Sequence, residues 1–149
     1  LVVAGLHRQA QLHRVAGPGL EKEGLLLAPI KPGDAVVTGA YNLPNNFVIH
    51  CLGPVYGVDQ PEAKLLADCY RNALRAAEEK NISSIAFPSI STGVFGYPPA
   101  AAAKVAFQTI KAEIPALRSV KLIRIVLFGQ QAYLLNRNIM LEVFKAEDQ

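Results

Sequence analysis

Two short apolar runs, SIAFPSI (Ser84 to Ile90) and LIRIVLF (Leu122 to Phe128), flank the helix-patterned stretch PPAAAAKVAFQTIKAEI. A strand, a helix and a strand in that order close as a right-handed parallel crossover, which places both strands in one sheet with the helix across its face. LIRIVLF is almost unbroken in its hydrophobicity, as expected of a strand covered on both faces. The prolines fall in the first turn of the helix, where a missing N–H costs nothing. Ala103, Ala106, Phe107, Ile110 and Ile114 then recur along one side. A last helix is read from about Gln131 to Ala146.

The stretch DQPEAKLLADCYRNALRAAEEKN predicts a longer amphipathic helix. Leu65, Leu66, Cys69, Tyr70, Ala73, Leu74 and Ala77 keep three-to-four spacing. Asp59 and Glu62 read as its cap, with Pro61 in the first turn. Upstream, DAVVTGAYNL (Asp34 to Leu43) and NFVIHCLG (Asn46 to Gly53) are β-rich and separated by Pro44 and Asn45 alone, so they pair antiparallel. LVVA at the start reads as a strand and AQLHRVAG as a short helix stopped by Gly17-Pro18. EKEGLLLAPI is a helix or irregular piece, followed by the turn KPGD. The fold class is therefore α/β, with a mixed central sheet between helix layers and an antiparallel pair near one edge.

With 149 residues the chain is read as one domain, and 51% hydrophobic against 18% charged residues makes it globular rather than disordered. No apolar run approaches the roughly 20 residues of a membrane span, and the opening LVVAGLHRQAQLHR does not read as a signal peptide. Neither a membrane nor a nucleic acid is expected as a partner. The net charge of +3 favours anionic ligands mildly, no dense Lys/Arg stripe appears, and RSVKLIR reads as a solvated strand approach. Cys51 and Cys69 are far apart and read as buried free thiols, suited to a reducing cytoplasm or nucleus. The cysteines and the histidines His7, His13 and His50 have no metal-ligand spacing, so neither a metal nor a cofactor is expected. His50 lies in an alternating strand and reads as structural.

The stretch PSISTGVFGYPPAAA (Pro88 to Ala102) stands at the carboxyl end of a strand, where open α/β sheets gather their ligands. Glycines let the backbone approach a ligand, and successive N–H groups beside a helix N-terminus form an anion site. Ser91 and Thr92 add hydroxyl donors, and Phe95 and Tyr97 add apolar cover. A diphosphate is the natural occupant. On chemistry alone, an ordinary strand-to-helix turn is an equal reading, and the stretch is neither a Walker loop nor G-x-G-x-x-G.

SIAFPSISTGVFGYP resembles the phosphate loop of the macrodomain family. GDAVVTGAYNLPNNFVIHCLGPVY resembles that family's strand pair, LHRVAGPGL its first helix and exit turn, and IRIVLFGQQAY its last strand and helix entry. The likeness runs over about residues 10 to 145 in the right order. It implies a three-layer α/β/α domain that binds ADP-ribose, or a related nucleotide, free or on ADP-ribosylated proteins. It carries ligand binding to Ser89, Ile90, Ser91, Thr92, Gly93, Val94, Phe95, Gly96 and Tyr97, which match the loop that wraps the diphosphate and distal ribose. Phe128, the position after the last strand, matches a residue that packs on the adenine or its ribose. His13 matches a structural position.

The departures from the family lie at the beginning, where the N-terminal edge strand is read as missing or divergent across a single domain, residues 1–149. No Gly-Asp-Ile-Thr-like segment is present. Val3 and Ala4 stand where hydrolytic branches carry an Asn, and the acidic loop position falls near Gln9, which is no general base. Catalytic residues are left unassigned. The preferred function is a binding module for ADP-ribose or ADP-ribosylated proteins. The alternative is an ADP-ribosyl hydrolase or O-acetyl-ADP-ribose deacetylase acting through an oriented water. The third is a degenerate domain that acts through its surfaces.

Overall fold

The computed structural model describes residues 2–5 and 9–145; His7 lies outside them. A five-stranded sheet has the strand order β2-β3-β1-β4-β5. Its strands are β1 (Val2–Gly5), β2 (Ala35–Gly39), β3 (Phe47–Cys51), β4 (Ser84–Pro88) and β5 (Leu122–Val126). β2 and β3 pair antiparallel, with Thr38 opposite Val48, and every other pair is parallel. The sheet is thus mixed, with the antiparallel pair at one edge. β1 is hydrogen-bonded on both sides, at the centre of the sheet.

Side chains on β3 alternate between two cores, as a period of two requires. Ile49 and Cys51 enter the larger core with Leu66, Tyr70 and Leu74 of α3 (Glu62–Glu79) and Ala106 and Ile110 of α4 (Pro99–Glu113). Val48 enters the smaller core with Ala16 of α1 (Gln9–Ala16) and Leu20 of α2 (Pro18–Leu27). Helices therefore cover both faces, giving three layers. α5 (Gln130–Lys145) packs against α4, where Lys111 Nζ donates to the Val143 carbonyl at 2.8 Å.

Three expectations are corrected. Asp59 does not cap α3, which starts at Glu62 with Pro61 at its cap position. An Asp59 cap would need the N–H of residue 61 or 62, and proline has none. The Asp59 carboxylate instead accepts the Val55 N–H at 2.8 Å and Glu62 accepts that of Gly57 at 3.3 Å, so both tie the preceding turn. Ile114 is exposed, because α4 ends at Glu113 and the chain turns through a 3-10 segment, Ile114–Ala116. β5 is the sheet edge and is covered on one face. Ile123 and Ile125 pack on the core, while Leu122 and Val126 on the other face are 42% and 57% exposed. The helices of that side, α1 and α2, lie against β1 and β2.

The approach to β5 is fixed by one carboxylate. Glu78, in the last turn of α3, accepts the N–H groups of Arg118 at 3.0 Å, Ser119 at 2.9 Å and Val120 at 2.7 Å. The Val120 bond, then the Ser119 bond, hold its pKa below the usual carboxylate value. A group depressed in the fold stabilises above its unfolded pKa, and that contribution is lost as pH falls through the folded one. Glu78→Ala is therefore expected to melt below the parent protein at pH 7, and the gap should close as the pH is taken below the carboxylate range. A melting-temperature difference that is the same at pH 7 and pH 3 would refute this role.

Candidate functional site

The chain leaves β4 at Pro88 and turns through Ser89–Tyr97 before α4 begins at Pro99. Bonds at both ends fix the loop. The Tyr97 N–H donates to the Ser91 carbonyl at 2.9 Å and that of Gly96 to Gly93 at 3.0 Å, with Gly96 at φ 71 supplying the left-handed turn. The Ile90 N–H donates to the Tyr70 hydroxyl at 3.4 Å. Thr92 Oγ1 lies 2.9 Å from Ser89 Oγ and 3.1 Å from the Ser89 carbonyl, to either of which it donates. The turn after β3 supports the loop from the side, since the Tyr56 N–H donates to the Phe95 carbonyl at 2.9 Å.

Inside this frame, the N–H groups of Ser91, Thr92, Gly93 and Val94 find no acceptor among the described residues. Ser91 is held at φ 63, a conformation disfavoured for a side-chain-bearing residue and concentrated at functional sites. Its Oγ is buried without a hydrogen-bond partner. These donors border a cavity of about 470 Å³ lined by the loop, by Pro99 at the start of α4, and by Val126, Leu127, Phe128, Ala132, Leu135 and Asn136 at the β5–α5 end. Among the described residues no charged side chain lines it. What this lining offers a ligand is backbone dipoles and the N-terminal end of α4.

Of the residues singled out from the sequence, Ser89, Ile90, Ser91, Thr92, Gly93, Val94, Phe95 and Phe128 come together on this cavity. Gly96 and Tyr97 do not line it. Gly96 turns the loop, and Tyr97 is 4% exposed, edge-on to the Tyr56 ring at 4.9 Å. Phe128 projects its ring, 90% exposed, at the mouth.

Gly53 is a lining residue that sequence reasoning did not single out. A Cβ there would run into Ser91 Oγ and stand 2.7 Å from Ile90 Cγ2. Only glycine lets the end of β3 pass so close to the loop, and the signal available was its place at the end of an alternating strand. Asn136 was also missed: a polar residue on the inner face of a helix shows itself only once packing is known.

Other reactive groups stand away from the cavity. Burial pushes the Cys69 thiol up to about 12 and the Cys51 thiol well above its usual range, so neither is a thiolate near neutral pH. His50 Nε2 lies 2.9 Å from Thr38 Oγ1, and burial, then the proximity of His13, lowers its pKa. Among the described residues, no group of three metal-ligating side chains comes together, and no helix is long and apolar enough to cross a membrane.

Comparison with known proteins gives one family. The model described as Macro domain matches residues 5–106. The chain is 48% identical over 101 residues to Macro domain-containing protein CT2219 of Chlorobaculum tepidum, covering 67% of this chain and 59% of that protein's length. It is 39% identical over 138 residues to an O-acetyl-ADP-ribose deacetylase of Klebsiella pneumoniae, covering 87% of this chain and 77% of that protein. Among solved structures, the Oceanobacillus iheyensis macrodomain with ADP superposes with a TM-score of 0.88 at 34% identity, over 97% of this chain and 84% of that one.

Proposed function

The chain belongs to the Macro domain family, and on that premise we propose that it binds ADP-ribose, free or carried by a protein, with the diphosphate in the loop Ser89–Phe95. The observation that carries the reading is the row of unspent N–H groups at Ser91, Thr92, Gly93 and Val94, opening on one cavity beside a helix N-terminus. A diphosphate supplies acceptors for those donors. The adenosine end extends toward Phe128, whose exposed ring offers a face for stacking. Isothermal titration with ADP-ribose is expected to show binding in the micromolar range, about −8 kcal/mol, while ribose 5-phosphate, which lacks the diphosphate and the base, binds far more weakly. No heat with ADP-ribose would end the proposal.

A second reading, hydrolysis of an O-acetyl or protein-linked ADP-ribose ester, is favoured by the Klebsiella relative's name. Against it, the described lining holds no carboxylate, histidine or lysine to activate a water. Incubation with O-acetyl-ADP-ribose is expected to release acetate no faster than the buffer control. Release well above that control would move the chain from binding module to hydrolase.

A further inference from the structure

The turn that follows β3 touches the ligand loop at two points and the cavity at none. The Tyr56 N–H donates to the Phe95 carbonyl at 2.9 Å, and the Tyr56 ring meets the Tyr97 ring edge-on at 4.9 Å. Phe95 and Tyr97 stand where the loop leaves for α4. Val55, Tyr56, Gly57, Asp59 and Glu62 do not line the cavity.

Tyr56 is itself held from both sides. The Val55 N–H donates to Asp59 Oδ2 at 2.8 Å and the Gly57 N–H to Glu62 Oε1 at 3.3 Å. Three successive N–H groups therefore go to a carboxylate, to the loop and to a second carboxylate. The Val55 carbonyl closes the same turn by accepting the Val58 N–H at 3.1 Å and the Asp59 N–H at 3.0 Å. Gly57, at φ 78, supplies its left-handed residue. Tyr56 is 46% exposed, so packing alone does not fix it. Of the two carboxylate bonds that do, the Asp59 bond is the shorter, and a bond to an ionised acceptor is roughly twice as strong as a neutral one.

We propose that Asp59 is a positioning residue for ligand binding: it holds Tyr56 against the exit of the loop and so keeps the N–H groups of Ser91 to Val94 arranged to receive a diphosphate. The proposal rests on the ADP-ribose reading above and adds a residue that acts on the site from outside it. The path is covalent and hydrogen-bonded throughout. The Tyr97 N–H donates to the Ser91 carbonyl and that of Gly96 to Gly93, so a shift at the exit reaches the donor row. A loop left free has to be ordered when the ligand arrives, and that cost comes out of the affinity.

The test is titration calorimetry with ADP-ribose on the unaltered protein, Asp59→Ala and Asp59→Asn, well below each melting temperature, with exchange of the Tyr56 amide followed by NMR. Asp59→Ala removes the acceptor and should bind about tenfold more weakly, with the Tyr56 amide exchanging faster. Asp59→Asn keeps an oxygen acceptor for the Val55 N–H and should bind within about threefold of the unaltered protein, with the Tyr56 amide still protected. A merely structural Asp59 would lower the melting temperature of Asp59→Ala and leave the affinity of the folded protein unchanged. That result would overturn the proposal. So would an Asp59→Asn as weak as Asp59→Ala, or weakened binding with an unchanged Tyr56 amide. No heat with ADP-ribose on the unaltered protein would remove the ligand reading and this one together. If Asp59→Ala does not fold, Gly57→Ala loosens the same turn, because a side chain there is strained at φ 78 although the space around it is open; the same readings then decide.

Discussion

Gly93→Glu is expected to give a folded protein that no longer binds ADP-ribose. A Cβ at Gly93 meets nothing within 4 Å, and its φ lies outside the left-handed region, so a side chain enters without straining the backbone. The space it enters is the loop cavity, which Gly93 lines. A glutamate there sets a negative charge among the same N–H donors that would receive the diphosphate. It occupies the donors and repels the ligand at once, and such like-charge juxtaposition costs several kcal/mol. The affinity should fall by more than about 100-fold, with the melting temperature close to that of the parent. Gly93→Ala is the control: a neutral methyl group in open space should retain most of the binding. Calorimetry and a melting curve on both variants check this. Unchanged affinity in Gly93→Glu would place the ligand elsewhere.

The turn between β4 and α4 was legible because its requirement is local. Small, hydroxyl and glycine residues between an apolar run and a proline-started helix specify a turn, and on chemistry alone they leave an ordinary turn and an anion site as equal readings. The α3 stripe was legible for the same reason: Leu66, Cys69, Tyr70, Ala73, Leu74 and Ala77 are all buried, and their spacing alone dictates it. What failed depends on partners distant in the chain. LIRIVLF has the composition of a central strand but lies at the edge, because hydrophobicity reports that a strand is buried somewhere and not how many neighbours it has. The central place of Val2–Gly5 is equally invisible, since pairing with β3 and β4 joins segments more than 40 residues apart. Asp59 kept the spacing of a cap but lost its donor to Pro61. Asn136 looked like any surface residue of a helix until the fold set it beside Leu127 in the cavity lining.

Phe87→Ala carries the largest expected loss of stability, and its effect should reach the ligand loop. Phe87 is fully buried on β4, its ring 5.0 Å from that of Tyr70. Removing it leaves a cavity in the main core at a cost of ~3–5 kcal/mol, against a total of ~5–15 kcal/mol for a domain. The melting temperature should fall by roughly 10 °C or more. Phe87→Leu, which keeps most of the volume, should lose about a third of that. The loop feels the change through Tyr70, whose hydroxyl accepts the Ile90 N–H and whose ring would lose its neighbour. A ligand that binds only the folded state returns about 2.7 kcal/mol at 100 times its Kd. ADP-ribose at one fixed concentration should therefore raise the melting temperature of Phe87→Ala by less than it raises that of the parent, because a displaced Ile90 weakens binding as well as folding. Equal affinity in Phe87→Ala and the parent, measured where both are folded, would show that the core supports the sheet and leaves the loop independent of it.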